Sequence, residues 1–226
     1  ENGDSASFSA VLGSRPLSPV NIVVTGLDET EGALSQTSVS FDATNWNQAQ
    51  TITVKGLDDT LADGDIPYEL AVTSLSSDPN YNAKAFKVKV TNLDNEVGGI
   101  VVDKSQITTS EYLTSDNFSV ALKSQPLSDV TVNISGLDTT EGRLSTNSLS
   151  FTNTNWNIPQ PVTVTGVEDN LYDGKIRYTL TLTSAGDAAY DGKNAKTATV
   201  DVSNLDNYLK VEDITVNEGS PYSVFR

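Results

Sequence analysis

Apolar residues recur at every second position along much of this chain. Phe8, Ala10 and Leu12 are spaced in this way. So are Ile22 and Val24, Val39 and Phe41, Ile52 and Val54, Leu70 and Val72, and Val88 and Val90. A period of two sends alternate side chains to opposite faces of an extended strand. The runs are short and are bounded by Gly, Pro, Asn, Asp or Ser, which are turn formers. No stretch carries a helical period. The pattern predicts about seven short strands in roughly a hundred residues, the strand density of an immunoglobulin-like sandwich. One face of each sheet is then in the core and the other in water.

Shifted by 110 positions, the chain overlays itself. Arg15-Pro16-Leu17-Ser18 meets Gln125-Pro126-Leu127-Ser128, and Thr30-Glu31-Gly32 meets Thr140-Glu141-Gly142. Asn45-Trp46-Asn47 meets Asn155-Trp156-Asn157, and Tyr68 meets Tyr178. After a net insertion of two residues, Asn92-Leu93-Asp94-Asn95 meets Asn204-Leu205-Asp206-Asn207. The expectation is all-β: two tandem immunoglobulin-like antiparallel β-sandwiches, over residues 1–96 and 97–207. Ile100 to Thr109 reads as the opening strand of the second domain, ahead of Glu111. Glu1 aligns with Glu111, so the first domain is expected to lack that strand. Residues 208–226 hold a further opening strand, Leu209 to Val216, followed by Asn217-Glu218-Gly219. Either the chain is an excerpt from a longer array, or this strand is donated to a second molecule in head-to-tail assembly. Glu96-Val97-Gly98-Gly99 reads as a linker that bends at its two glycines.

Composition narrows the chemistry. The 226 residues include 30 acidic and 14 basic side chains, a formal charge of −16, and no Cys, His or Met. Without His there is no Ser-His-Asp triad and no usual general base or zinc ligand. Without Cys there is no thiol chemistry and no disulfide. The negative charge argues against nucleic acid as a partner, and no run has the length of a membrane span.

The acids concentrate in one stretch, Gly56-Leu57-Asp58-Asp59-Thr60-Leu61-Ala62-Asp63-Gly64-Asp65. It returns as Gly166-Val167-Glu168-Asp169-Asn170-Leu171-Tyr172-Asp173-Gly174-Lys175. Each copy lies between two predicted strands and is therefore a loop at one end of a sandwich. Clustered carboxylates repel one another, and a hard cation such as Ca²⁺, which takes six to eight oxygen ligands in irregular geometry, relieves this. With strands running up and down, Glu1, Asp28, Asp58, Asp59, Asp63, Asp65 and Asp94 converge on one pole. In the second copy Glu111, Asp138, Glu168, Asp169, Asp173 and Asp206 do so. Leu61 and Leu171 offer backbone carbonyls, and Gly64 and Gly174 permit the turn. The acids crowd into loops rather than flank a cleft and recur in both copies, so no enzyme is expected.

The motifs Leu57 to Asp63 and Asn92 to Asn95, with the N-terminal Glu, resemble the Calx-beta domain. With Asn-Trp-Asn ahead of the strand and acidic loop, they resemble the Calx-beta-like repeats of large bacterial cell-surface and adhesin proteins. The resemblance implies a β-sandwich holding Ca²⁺ in its distal loops, near the junction with the next domain, through the residues just named. The family's final acidic triplet is reduced to Asp94-Asn95-Glu96 and Asp206-Asn207-Tyr208, and Lys175 replaces Asp65. Residues 1–96 carry 14 acidic and 5 basic side chains against 13 and 7 in residues 97–207, so the first domain is expected to bind more ions.

The function expected is a calcium-binding structural or adhesive module, secreted to a bacterial surface and stiffened at its domain junctions. Its partners are neighbouring repeats or copies of itself. The alternative is a carbohydrate-binding module with Trp46 or Trp156 as a sugar platform. Against that, the indoles are expected to cap the sandwich edge. Tyr68 and Tyr178 are expected in the core with hydroxyls reaching backbone.

Overall fold

The computed structural model of the chain describes residues 1–206. The alternating runs become strands, and β-branched and aromatic residues fill their inward positions. The first sandwich comprises β1 (Ser5–Ala10), β2 (Val20–Thr25), β3 (Gly32–Leu34), β4 (Ser38–Phe41), β5 (Gln50–Gly56), β6 (Ile66–Ser76) and β7 (Ala85–Asn92). Its sheets have the orders β1-β5-β3 and β4-β2-β6-β7.

The second comprises β8 (Ile100–Val102), β9 (Gln106–Ser110), β10 (Ser115–Leu122), β11 (Val130–Ser135), β12 (Gly142–Leu144), β13 (Ser148–Phe151), β14 (Gln160–Gly166), β15 (Ile176–Ala185) and β16 (Thr197–Leu205). Its sheets run β12-β14-β10-β8 and β13-β11-β15-β16-β9. The named strands pair antiparallel except β9, which lies parallel to β16. The chain thus forms two tandem immunoglobulin-like antiparallel β-sandwiches. One 3₁₀ turn, Gly192–Asn194, is the helical exception among the described residues.

Burial follows the alternation. Val20, Phe41, Ile52 and Leu70 are fully buried in the first core, and Phe118, Val130, Phe151, Val162 and Leu180 in the second. Outward positions of β1, β5, β10 and β14 carry hydroxyls that pair across strands: Ser7 with Thr53 at 2.9 Å, Ser9 with Thr51 at 3.1 Å, and Ser115 with Thr165 at 2.8 Å. Trp46 and Trp156 pack against their cores. Their carbonyls accept from Leu12 N and Leu122 N, as expected of residues capping the sandwich edge.

Three expectations change. Ile100 to Thr109 is not one strand. It breaks after Val102 so that β8 joins β10 while β9 crosses to β16 in the opposite sheet. Asp103 secures the break: its N–H donates to Ser119 O at 3.2 Å and its Oδ1 accepts from Ser119 N at 2.6 Å. The hydroxyls of Tyr68 and Tyr178 are buried without a hydrogen-bond partner rather than bonded to backbone. The linker glycines serve close packing, not bending. A Cβ at Gly98 would lie 2.7 Å from Ala189 O and 3.3 Å from the Tyr190 ring, and Gly99 O accepts from Lys123 N at 2.9 Å.

Phe118 is wholly buried, whereas its counterpart Phe8 is half-buried. Phe118→Ala is therefore expected to cost about 3–5 kcal/mol and Phe8→Ala clearly less. Denaturant unfolding of the two variants checks the order.

Candidate metal centre

Each acidic loop leaves a strand, β5 or β14, and returns to the opposite sheet as β6 or β15. Its shape is set by its own carboxylates. Asp59 Oδ1 accepts from Leu61 N at 2.7 Å, and Asp169 Oδ1 from Leu171 N at 2.8 Å, so both form Asx turns. Gly64 and Gly174 have φ of +84° and +81°, a region that L side chains rarely adopt. Their amides point at the end of the last strand: Gly64 N donates to Asp94 Oδ2 at 2.6 Å and Gly174 N to Asp206 Oδ2 at 3.0 Å. The loop and the Asn-Leu-Asp segment are thereby tied together in both sandwiches.

The structure brings together two acid trios whose membership differs from the sets named from the sequence. Carboxylate oxygens of Glu1, Asp58 and Glu96 lie within 4.8 Å of one another. In the second sandwich those of Glu141, Asp169 and Asp173 do so. Glu31, Glu96 and Glu141 were not among the residues singled out from the sequence. Glu31 and Glu141 are 7% and 4% exposed, each opening a short strand after a tight turn. Asn92 Nδ2 donates to Glu31 Oε2 and Asn204 Nδ2 to Glu141 Oε2, both at 3.1 Å. The signal was present in the repeated Thr-Glu-Gly, which served only to align the two copies.

Asp28 and Asp138 shape those turns. Each Oδ1 accepts from the N–H and hydroxyl of the Thr two residues on, at 3.1 and 2.6 Å. Asp94 is spent on the loop as well, with Oδ1 accepting from Glu96 N at 2.6 Å and Oδ2 from Gly64 N. Asp65 is exposed, and its Oδ1 accepts from Asp94 N. Glu168 is exposed and stands outside its cluster, while Glu111, 2% exposed, donates its N–H to Leu205 O. Leu61 forms a bridge with Gln125 that uses the Thr60 carbonyl and Ala62 N–H, not its own carbonyl. Leu171 is 62% exposed.

What distinguishes the poles from an ordinary acidic surface is unmet hydrogen-bonding capacity. Glu1 Oε2, Asp63 Oδ1, Glu96 Oε2 and Asp206 Oδ1 are buried with no hydrogen-bond partner. Buried carboxylate oxygens without donors carry a desolvation cost that pairing or a metal removes. Titration behaviour agrees. Burial, a hydrogen bond with Glu96 and the charges of Asp59 and Asp94 push Glu1 up to about 7. Burial, then Asp59, Glu31 and Asp94, raise Asp63. Burial raises Glu141 against the Asn204 hydrogen bond, helped by Asp173, Asp169 and Asp138. Asp28, by contrast, is lowered by the donors of Thr30. These donors suit a hard cation: all are oxygen, and no His or Cys exists to favour zinc.

No protein-family model matches the chain and no curated protein matches it. Similar solved structures include the calcium binding domain CBD12 of CALX1.1, 16% identical, covering 82% of this chain and 76% of that chain at a TM-score of 0.37. CBD12 from CALX1.2 is 13% identical over 88% of this chain and 93% of that chain, also at 0.37. The periplasmic chaperone SfaE is 6% identical over 50% of this chain and 60% of that chain, at 0.39. At TM-scores below 0.5 these likenesses carry no argument about the site. Strand order and register establish the sandwich assignment.

Glu1 has a folded-state pKa above its ordinary value of 4.5, so folding favours its protonated form. Its contribution is fully present below the unfolded value and is lost as pH rises through about 7. In chelator, the first sandwich is expected to melt at lower temperature at pH 8 than at pH 5.5, and Glu1→Gln to narrow that gap. Calorimetry of both proteins at the two pH values measures it.

Proposed function

We propose that each pole binds Ca²⁺ and that the chain is a calcium-stabilised structural or adhesive repeat module of a bacterial cell-surface protein. The observation that carries this reading is the set of buried, partnerless carboxylate oxygens on Glu1, Asp63, Glu96 and Asp206. In the first sandwich the residues that would hold the ion are Glu1, Asp58 and Glu96, with Asp59, Asp63 and Glu31 adjoining. In the second they are Glu141, Asp169 and Asp173, with Asp206 adjoining. A bound divalent cation supplies positive charge to acids that otherwise repel.

The mechanical part of the reading comes from where the first pole lies. Its acidic loop also touches the second sandwich. Gln125 N donates to Thr60 O at 2.7 Å, Ala62 N to Gln125 O at 3.3 Å, and Thr60 Oγ1 to Gln125 Oε1 at 2.6 Å. Gln125 Nε2 in turn donates to Asn153 O at 3.1 Å. A loop that repels itself makes a poor docking partner, whereas a neutralised one keeps Thr60 to Ala62 in place. Calcium would thus stiffen the join between repeats, which suits a rod that presents another part of the protein at a distance. Extracellular modules of this kind bind with dissociation constants of roughly 10⁻⁴ to 10⁻³ M, matched to calcium outside cells.

Titrating Ca²⁺ into the whole chain is expected to raise its melting temperature by several degrees, since ligand at about 100 times its dissociation constant adds about 2.7 kcal/mol. Asp58→Asn should reduce the rise for the first sandwich and Asp173→Asn for the second. Isothermal titration is expected to assign more ions to the first. A melting temperature indifferent to calcium removes the reading. For stiffening, small-angle scattering with chelator should show a broader distribution of overall dimensions than with calcium, and identical profiles count against it.

A further inference from the structure

The first acidic pole faces the second sandwich across a cleft of about 310 Å³. Asp63, Asp94 and Glu96 line one wall, and Asn194 and Lys196 line the other, with Gly98 of the linker between them. Neither end of the chain contributes to these walls. On the acidic side Asp63 Oδ1 and Glu96 Oε2 are buried without a hydrogen-bond partner. Asp94, which also lines it, accepts from Gly64 N and Glu96 N.

The opposite wall is a place where the two copies of the repeat differ in length. Two residues separate Tyr81 from Lys84, whereas five separate Tyr190 from Lys196. Hydrogen bonds fix the equivalence of the two lysines. Lys84 N donates to Ser74 Oγ at 3.0 Å, and its carbonyl accepts from Ser74 N at 2.9 Å. Lys196 does the same with Ser184, at 2.8 and 2.9 Å. The three additional residues make room for the 3₁₀ turn Gly192–Asn194, which Asn194 Nδ2 braces by donating to Ala188 O at 2.9 Å. Lys84 is exposed, but Lys196 is half-buried. A Cβ at Gly98 would stand 3.2 Å from Lys196 Cε, so the aliphatic stem lies against the linker two residues past Glu96. The ion pairs among the described residues join Lys87 to Glu69 and Lys104 to Asp116, and leave Lys196 out.

We propose that Lys196 is the resident counter-ion of the first pole, and that a divalent cation entering that pole competes with it. The inference rests on the reading of that pole as a cation site. Attraction between unlike charges reaches across several ångströms, so an ammonium in the same cleft offsets the repulsion among Asp63, Asp94 and Glu96 without bonding to them. Because it stops short of direct contact, it leaves the partnerless oxygens of Asp63 and Glu96 open to a stronger partner. The stem packed on Gly98 holds the charge in place, as methylenes of a long basic side chain cover neighbouring surface while its head stays hydrated. A metal brought to those oxygens then meets the repulsion of the ammonium. The neighbouring sandwich thereby sets how much calcium the first pole needs. In calcium's absence the same lysine holds the acids of the pole together, and at saturation the metal takes over that role.

The test is calorimetric titration of Ca²⁺ into the full chain, in an Asp173→Asn background that reduces uptake at the second pole. Lys196→Met keeps the stem over Gly98 and removes the charge, whereas Lys196→Arg keeps a charge. Lys196→Met is expected to bind calcium about three- to tenfold more tightly, the effect of one hydrated unit charge on a nearby dication. Lys196→Arg should stay near the parent affinity, and so should Lys193→Met on the exposed turn. Melting in chelator supplies a readout without metal: Lys196→Met should melt below the parent, Lys196→Arg should not, and saturating calcium should close the gap. Calcium uptake with Lys196→Met at the parent affinity overturns the proposal, as does Lys196→Arg behaving like Lys196→Met, or a Lys196→Met chain as stable as the parent in chelator. No calcium uptake by the parent or any variant is a different failure: it defeats the reading of the pole itself, and the competition with it.

Discussion

Carboxylate oxygens taken out of water without donors are the constraint on which this molecule turns. A sandwich core needs only apolar side chains at alternate positions, and both domains supply them. The poles are different. There the chain buries or half-buries acids from several separate segments and leaves Glu1 Oε2, Asp63 Oδ1, Glu96 Oε2 and Asp206 Oδ1 with no donor. Hydrogen bonds nearby are abundant, but they go to other members of the set. Asp28, Asp59 and Asp94 are consumed in shaping turns, which frees their neighbours to face one another. The division falls between oxygens rather than residues: Asp206 gives Oδ2 to Gly174 N, which holds the loop, and keeps Oδ1 without a donor.

The same loop belongs to two structures at once. On one side it gathers Asp58, Asp59 and Asp63 at the pole. On the other it pairs Thr60 and Ala62 with Gln125 of the next sandwich. Between the domains the chain does not hang free. Gly98 is buried against Ala189 and Tyr190, and Tyr190 is itself pinned by donating its hydroxyl to Ser124 O at 2.7 Å. Gly98 is small because the backbone of its own sandwich comes close at Ala189, and a side chain there would lift the linker off the second domain. The join is thus set by the Thr60 and Ala62 contacts with Gln125 and by a linker that packs onto the second sandwich.

Closure of the sandwich is a separate matter from its poles. The switch of β8 and β9 between sheets seals the second core. The first core, built from equivalent residues, has the same strands missing from its described part and keeps Phe8, Val88 and Val90 half-buried. Equivalent sequence thus sits in two states of burial inside one chain. That comparison isolates the covering strands as the cause.

Much was legible in the residues alone. Period-two alternation determined the strands, because side-chain direction in an extended chain depends only on parity. The repeat, with Gly64 and Gly174 at equivalent turns, determined two copies of one fold, and the absence of His and Cys left oxygen as the donor type for any cation. Tertiary structure decided which acids meet. Glu31 and Glu141 join the poles because turn geometry and the Asn92 and Asn204 amides aim them inward, and Glu96 because Asp94 holds its N–H, whereas Asp28 and Asp138 turn to their own threonines. It also decided that Ile100 to Thr109 splits between sheets and that the linker glycines mark close approach. Local pattern records the direction of a side chain along its own strand. It holds no record of distances between segments a hundred residues apart, and those distances set both the charge cluster and the packing of the join.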